Sequence, residues 1–365
     1  MSQTAADHAF MSRALRLAHL GINTTTPNPR VGCVIVKDHA IVGEGWHVRA
    51  GEPHAEAIAL AAAGPAAQRA TAYVTLEPCC HHGRTPPCVD ALLAAGIARV
   101  VAAMRDPNPL VAGQGMARLA AAGVAVELGV LAAEARELNP GFVSRMERGR
   151  PWIRTKIAAS LDGRTALANG QSLWISGEDA RRDAHRLRAR SCAMLTGAAT
   201  VIADDPQLTV RHIDVERQPA RVVVDSRLDT PPGARILDGG GALIATVSED
   251  SDKARHLADA GAEIVHLPAA DNGKIDLGAL ARELARRGFN EVTVETGAKL
   301  NGPLLCAGLI DEIVLYQAPL ILGDSARGLF SLPQLTAMNQ RLAVDIHDVR
   351  ALGRDWRIIA RVRQN

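Results

Sequence analysis

The sequence predicts an α/β protein made of two α/β units in series. Short runs of Val, Ile, Leu and Ala alternate with helix-length segments along most of the chain. The 365 residues suffice for about two domains, each with its own core. Near the middle, Glu147-Arg148-Gly149-Arg150-Pro151 interrupts the alternation with charge, Gly and Pro. A boundary there gives units at 1–147 and 148–365.

In the first unit, residues 7–20 have the pattern of an amphipathic helix stopped by Gly21. Residues 32–37 and 41–46 read as the strands of a hairpin around Asp38-His39. A helix follows His54 and ends at Gly64. Then come strand 72–76, helix 88–95, strand 99–103, a helix ending at Ala122, strand 124–128 and a last helix from Leu131 to the boundary. Thr85 is the expected N-cap of helix 88–95, with proline in its first turn. The set implies a mixed sheet with helices on both faces. The second unit offers strands at 152–158, 193–195, 221–225, 242–247, 291–295 and 312–317, with helical segments between most of them. Its helix 178–190 carries Arg181, Arg182, Arg186, Arg188 and Arg190, which on charge alone describes a solvated face.

Composition narrows the function. Charged residues make up 22% of the chain and the net charge is +2, so no strong field draws it to nucleic acid or membrane. Aromatics at 3% leave few platforms for stacking bases. Three of the six cysteines fall in one motif, which points to metal use in a reducing compartment and away from a disulfide frame. The N-terminal helix lacks the apolar core of a signal peptide, and no run is long enough to span a bilayer, so a cytoplasmic enzyme is expected. No GxGxxG opens a helix, and Gly239-Gly240-Gly241 precedes a strand, so a Rossmann dinucleotide site is not predicted.

Two segments carry the chemistry. One is His54-Ala55-Glu56 at the head of an alanine-rich helix; the other is the stretch from Pro78-Cys79 to Pro87-Cys88 after a strand. His54, Cys79 and Cys88 offer one nitrogen and two sulfurs, which leaves a fourth tetrahedral position for water, as hydrolytic zinc requires. Cys88 at a helix start is favoured as thiolate by the helix dipole. Glu56 lies close enough to carry protons without binding the metal. The competing arrangement is a closed structural site with Cys80 or His82 as fourth ligand, but it leaves Glu56 without a role.

With these residues the first unit resembles the pyrimidine deaminase of riboflavin biosynthesis. Eight residues separate Cys79 from Cys88, where nucleoside and nucleic-acid deaminases usually have two; the HHGRTPPC insertion marks the family, as does Thr26-Pro27-Asn28-Pro29 with Val31-Gly32. The resemblance implies a cytidine-deaminase-like fold and removal of an amino group from a diaminopyrimidine bearing a ribosyl 5-phosphate. It places Asn28, His47 and Arg84 at the substrate, with Arg84 at its phosphate.

The second unit resembles the reductase of the same pathway, through KIAASLDGRTA at 156–166, WIS at 174–176 and TVIADDPQLTVR at 200–211. That implies a dihydrofolate-reductase-like fold and NADPH as cofactor. The implied NADPH contacts are Ala158, Trp174, Thr200, Asp204 and Ser226, with Gly297, Ala298, Lys299, Leu300, Asn301, Gly302 and Pro303. The implied substrate contacts are Ser172, Arg188, Leu208, Arg211 and Glu295. Arg188 and Arg211 suit bidentate grip of a phosphate, and the strand-to-helix step at Thr296-Gly297 offers free N–H groups to a pyrophosphate. Asp204 and Glu295 are the candidate proton donors of the reduction. The whole chain thus reads as a bifunctional enzyme using Zn2+ and NADPH on a small phosphoribosylaminopyrimidine, with no nucleic-acid or membrane partner and a homo-oligomer allowed. The rival is a nucleoside or nucleic-acid deaminase with a non-catalytic C-terminal binding domain.

Overall fold

The alternation of strand and helix holds through both units of the computed structural model, which describes residues 3–81, 86–109, 111–172 and 175–363. The units are Met1–Gly149 and Arg150–Asn365. The last helix of the first unit runs on to Arg148, and Gly149 ends it at φ 65°, two residues beyond the expected boundary.

The first unit contains α1 (Gln3–Leu20), β1 (Gly32–Lys37), β2 (Ala40–Trp46), α2 (Ala55–Ala63), β3 (Thr71–Val74), α3 (Cys88–Ala94), β4 (Arg99–Ala102), α4 (Gln114–Ala121), β5 (Ala125–Leu128), α5 (Ala132–Leu138) and α6 (Pro140–Arg148). Its strands are ordered β2-β1-β3-β4-β5; β1 is antiparallel to both neighbours, and β3, β4 and β5 are parallel. The β1–β2 turn puts Asp38 and His39 at φ 50° and 65°, the two left-handed positions of a tight hairpin. One sheet face packs Val34, Val36 and Val101 against Met11, Ala14 and Leu17 of α1. The other packs Cys33, Ile35 and Val100 against Ala55, Ala59 and Ala63 of α2.

That second contact is unusually close, and it sets the site. A Cβ on Gly43 would stand 2.2 Å from the Ala59 carbonyl oxygen, and one on Gly45 would stand 2.5 Å from that of Ala55. Glycine on β2 and alanine on α2 therefore let the helix backbone lie directly on the strand, which fixes where α2 begins.

Two local expectations are corrected. The helix expected from Leu131 is two helices, because Pro140 cannot continue a helix and holds Asn139 at φ −120°, ψ 39°. The buried Asn139 amide is used instead to pair with the backbone of Arg30, accepting its N–H at 2.8 Å and donating to its carbonyl at 2.9 Å. Helix α3 has Pro87 as N-cap in extended conformation; Thr85 lies outside the described residues.

The second unit contains β6 (Trp152–Ala159), β7 (Arg164–Ala166), α7 (Glu178–Arg190), β8 (Ala193–Gly197), α8 (Ala198–Asp204), β9 (Ala220–Val224), β10 (Ala242–Thr246), α9 (Ser251–Asp259), β11 (Ala262–His266), α10 (Leu277–Arg286), β12 (Glu291–Val294), α11 (Ala298–Cys306), β13 (Glu312–Gln317), β14 (Arg327–Gly328), β15 (Val344–Leu352) and β16 (Asp355–Val362). The main sheet runs β11-β10-β9-β8-β12-β6-β13-β16-β15; strands β11 to β13 in that row are parallel, and β16 and β15 close the edge antiparallel. The β15–β16 hairpin was not expected. Most of β15 is exposed, and its apolar alternation, Val344 and Ile346 and then Val349 and Ala351, changes phase at a register shift between Ile346 and Asp348, which interrupts the period that betrays a strand. Chain order reverses around β8, β12 and β6, and in such sheets ligands sit beyond the carboxyl ends of those strands.

The arginine-rich α7 is not solvated all round. Ala180, Ala184 and Leu187 pack on Val314 and Tyr316, and Asp183 and His185 are buried with them. Among the described residues no helix is long and apolar enough to cross a membrane.

Candidate active sites

In the first unit, His54 is the N-cap of α2, in extended backbone conformation and with its side chain not used for capping. The imidazole instead faces the start of α3, where Cys88 is the first helical residue. His54 Nδ1 lies 3.6 Å from Cys79 Sγ and 3.3 Å from Cys88 Sγ, and the three donor atoms fall within 4.8 Å of one another. Tetrahedral zinc bonds to nitrogen and thiolate imply an S···N edge of about 3.6 Å, so this donor set fits zinc. Cys80 stands outside the set, with Sγ 3.9 Å from Gln114 Oε1; His82 lies outside the described residues. The Cys88 N–H donates to Cys79 Sγ at 3.3 Å. The two sulfurs share a proton: the hydrogen bond from the Cys88 thiol pushes Cys79 down, and the same bond pushes Cys88 up.

Glu56, in the first turn of α2, is buried beside the cluster. Burial, then the Cys79 charge, pushes its carboxyl up to about 7. It lines a cleft of about 370 Å³ together with Asn28, His47, His54, Asp106 and Asn108. His47 Nδ1 faces the Pro53 carbonyl at 3.2 Å and so carries the hydrogen, which makes Nε2 the acceptor for Asn28 Nδ2 at 3.0 Å. Burial lowers the His47 pKa, in keeping with this neutral form. Asn28 is thereby held at the cleft by His47. Arg84 lies outside the described residues.

Sequence reading missed the wall opposite. The buried Glu77 carboxylate accepts four backbone N–H groups, from Asp106 (3.2 Å), Gly113 (2.8 Å), Gly115 (2.9 Å) and Met116 (3.2 Å). It thus ties the loop bearing Asp106 and Asn108 to the segment bearing Cys79. Burial raises Asp106 to about 6. The one signal in the sequence was a charged residue directly before Pro78-Cys79, and its partners are backbone groups that no side-chain pattern displays.

In the second unit, the fork expected to grip a phosphate on Arg188 is closed on Glu295: Nε donates to Oε1 at 2.7 Å and Nη2 to Oε2 at 2.9 Å. A buried carboxylate needs such a cation. Glu295 is in turn held ionised. Against the cost of burial, Arg188 and then Lys156 hold its carboxyl down to about 2. Lys156 was not singled out from sequence, yet its Nζ lies 3.9 Å from Glu295 Oε2 and 5.8 Å from the centre of the Tyr316 ring. On β6, Lys156 and Ala158 are two residues apart and share a face.

Arg211 is exposed and donates to Gln207 Oε1 at 2.9 Å. Its loop is clamped: Arg188 Nη1 donates to the Thr209 carbonyl at 3.0 Å, Gln218 accepts the Val210 N–H at 2.6 Å, and His185 Nδ1 accepts the Arg211 N–H at 3.0 Å. Leu208 stands in this loop at φ 52° with its side chain in the core, so only its backbone is available to a ligand. Burial, then Arg188 and Arg235, lowers the Arg211 pKa, and an anion there would offset that repulsion.

Of the expected NADPH residues, Ala158 lies near the carboxyl end of β6, Ser226 just after β9 and Gly297 just after β12, and Thr200 lies in α8, which follows β8. Gly297 is the N-cap of α11, is exposed, has open space where a Cβ would stand, and leaves the helix without a side-chain cap. Nearby, the Thr200 and Thr296 hydroxyls are 3.2 Å apart. An uncapped helix start beside this pair of hydroxyls fits a pyrophosphate. Asn301 is buried and braces this step, donating to the Thr296 carbonyl at 3.1 Å. Gly302 is committed to packing instead: a Cβ there would stand 2.0 Å from the Ser331 carbonyl oxygen. Asp204 is exposed at the end of α8, Ser172 is half-buried, and Trp174 lies outside the described residues.

Residues 4–104 match the family described as the cytidine and deoxycytidylate deaminase zinc-binding region, and residues 151–358 match the RibD C-terminal domain. The riboflavin biosynthesis protein RibD of Escherichia coli K12 is 50% identical over 362 residues, which span 96% of this chain and 97% of that one. The chain belongs to the RibD family. RibD of Haemophilus influenzae is 45% identical over 97% of each chain. Among solved structures, Acinetobacter baumannii RibD superposes with a TM-score of 0.92 at 44% identity, covering 99% of this chain and 100% of that one. A Thermotoga maritima protein described as a diaminohydroxyphosphoribosylaminopyrimidine deaminase and 5-amino-6-(5-phosphoribosylamino)uracil reductase gives 0.87 at 33% identity, over 98% and 99%. The first unit of this RibD-family chain is the zinc-binding deaminase domain and the second is the reductase domain, with cytidine-deaminase-like and dihydrofolate-reductase-like folds.

Proposed function

We propose that this RibD-family chain performs two successive steps of riboflavin biosynthesis. The first unit deaminates 2,5-diamino-6-(5-phosphoribosylamino)pyrimidin-4(3H)-one, and the second reduces the resulting 5-amino-6-(5-phosphoribosylamino)uracil at its sugar. The observation that carries this reading is the cluster of His54, Cys79 and Cys88 beside the cleft that His54, Glu56 and Cys79 line, in a chain matched over 98% of its length by a two-activity relative.

His54, Cys79 and Cys88 would hold zinc, whose chemistry is to make water a nucleophile near neutral pH. Glu56 takes the proton of the attacking water and delivers it to the departing amino nitrogen; the C–N bond breaks, a C–O bond forms and ammonia leaves. Asn28, held by His47, positions the pyrimidine, and Arg84 meets the phosphate.

In the second unit the α11 N-terminus with Thr200, Asp204 and Ser226 would hold NADPH, which supplies hydride. At the ribose C1 a C–H bond forms as the bond to the ring oxygen breaks, and that oxygen needs a proton. Lys156 is the side chain placed to give it, with its Nζ 3.9 Å from the Glu295 carboxylate. Arg211 grips the 5-phosphate. The free cysteines and the use of NADPH support a reducing compartment, the cytoplasm.

The test is to feed the purified protein the diaminopyrimidine phosphate with and without NADPH and identify products by mass spectrometry. Deaminated product alone is expected without NADPH, and the ribityl product with it. Deamination of cytidine in preference to this substrate, or no consumption of NADPH, would overturn the reading.

A further inference from the structure

Lys156 and Tyr316 lie on neighbouring strands of the second unit. In the parallel β6–β13 register Lys156 stands opposite Val314 and Ala158 opposite Tyr316, so lysine and tyrosine are diagonal neighbours on one sheet face. Helix α7 covers that face, packing Ala180, Ala184 and Leu187 on Val314 and Tyr316. The Tyr316 side chain is fully buried, and its hydroxyl donates to Asp183 Oδ2 at 2.8 Å. That carboxylate is itself tied to the edge hairpin: it accepts Arg357 Nη1 at 3.0 Å, and Arg357 Nη2 donates to Asp348 Oδ2 at 2.9 Å. Burial, then the Asp183 charge, pushes the Tyr316 pKa up, so the hydroxyl remains a donor. The ring is therefore held at its body by α7 and at its tip by Asp183. Over it lies Lys156 Nζ, 5.8 Å from the ring centre and 3.9 Å from Glu295 Oε2. The second distance is too long for a hydrogen bond, so Glu295 attracts the ammonium without taking its hydrogens.

We propose that Tyr316 is a positioning residue of the reduction: its ring face, anchored through Asp183, holds the Lys156 ammonium off Glu295 and ready to protonate the substrate. The proposal rests on the reading above that Lys156 gives the proton to the ribose ring oxygen. A lysine head is a point charge on a flexible stem, and a lone carboxylate would draw it into direct contact. A second attraction, from the negative face of an aromatic ring, balances that pull. Both counterparts are set by α7, since Arg188 holds Glu295 by two bonds and Asp183 holds Tyr316 by one. The proton is thereby offered from a fixed point, as transfer to a sugar oxygen at hydrogen-bond distance requires.

Steady-state reduction of pre-deaminated substrate by the full chain tests this with three replacements of Tyr316. Tyr316→Phe keeps the ring and loses its anchor, so kcat should fall about 3-fold. Trifluorophenylalanine at the same position keeps the shape but empties the ring face of negative charge, and Tyr316→Leu removes the ring; each should lower kcat at least ~10-fold. The KM values for NADPH and substrate should not move in any of them. In the last two the solvent deuterium isotope effect on kcat should grow, because proton delivery becomes the slow step. Unchanged deamination and thermal midpoint in the phenylalanine and trifluorophenylalanine proteins report an intact fold. Equal kcat in those two proteins overturns the role of the ring face, and a fall in kcat without a larger isotope effect assigns it to packing and overturns the proposal as well. Lys156→Met separates the two readings: if it reduces as fast as wild type, the proton donor is wrong and the proposal falls with it. If it is slow while phenylalanine and trifluorophenylalanine match, Tyr316 alone is misassigned.

Discussion

His54 and Glu56 lie two residues apart at the head of one helix, and both reach the sulfurs: His54 Nδ1 stands 3.3 Å from Cys88 Sγ, and the Glu56 carboxyl hydrogen-bonds the Cys88 thiol. Substituting serine for Cys79 or Cys88 should remove zinc, since an alcohol is a poor substitute for thiolate at neutral pH. Metal analysis checks this, and full occupancy in both variants would contradict the ligand set. Glu56→Gln should keep zinc and lose deamination by at least ~100-fold, because an amide cannot shuttle the proton. Reduction of pre-deaminated substrate by that variant should be normal, and loss of both activities would mean that the sites do not act separately. In the other unit, Arg211→Lys keeps the charge but loses the fork, so the KM for phosphorylated substrate should rise about tenfold. Comparison with the dephosphorylated analogue isolates the contact; an unchanged preference would move the phosphate elsewhere.

At the scale of the element, the position of α2 is set by close contact with β2 and not by large side chains. Gly45→Ala would put a methyl 2.5 Å from the Ala55 carbonyl oxygen, backbone that cannot step aside without moving the helix start. Such overpacking costs about 1 to 3 kcal/mol. Because His54 and Glu56 ride on that helix start, deamination should fall at least ~10-fold while NADPH-dependent reduction is spared. Thermal unfolding and the two separate assays read this out, and normal deamination would show that α2 tolerates displacement. Helix α7 is the corresponding element in the second unit. One turn of it carries His185, which fixes the Arg211 backbone, and Arg188, which fixes Glu295, so the Arg211 loop and the Glu295 carboxylate are referred to one rigid rod.

At the scale of the whole molecule, the two units should differ in their response to acid. In the second, burial and then Arg188 lower the His185 pKa from 6.5 to about 4. Below pH 6.5 the unfolded chain takes a proton that the folded one refuses, so stability falls as pH drops toward 4. Between pH 7 and pH 5 this group alone accounts for about 2 kcal/mol. Glu295, held down to about 2 from 4.5, adds a further loss between pH 4.5 and 2, where the unfolded carboxylate protonates first. Thermal midpoints at pH 7 and pH 5, with reduction and deamination assayed after each exposure, should show the reductase unit failing first. His185→Gln should flatten that dependence, and an unchanged slope would assign it to other groups.

The sequence by itself determined the strand and helix alternation, the Asp38-His39 hairpin, the glycine stops, and the grouping of His54, Glu56, Cys79 and Cys88, because each depends on neighbours along the chain: turn propensity, helix capping, or ligands in two short segments. Resemblance then named Arg188, Glu295 and the α11 start as a second site. Tertiary structure decided what those side chains do. Arg188 and Glu295 are 107 residues apart in sequence, and their pairing follows from the cost of burying an unpaired charge, which no local pattern reveals. The same holds for Lys156 beside Glu295, for Glu77 gathering backbone N–H groups, and for Gly302 given over to Ser331. The β15–β16 hairpin escaped for the converse reason: it is held by strand pairing at an exposed edge, and a register shift between Ile346 and Asp348 breaks its apolar alternation in the middle.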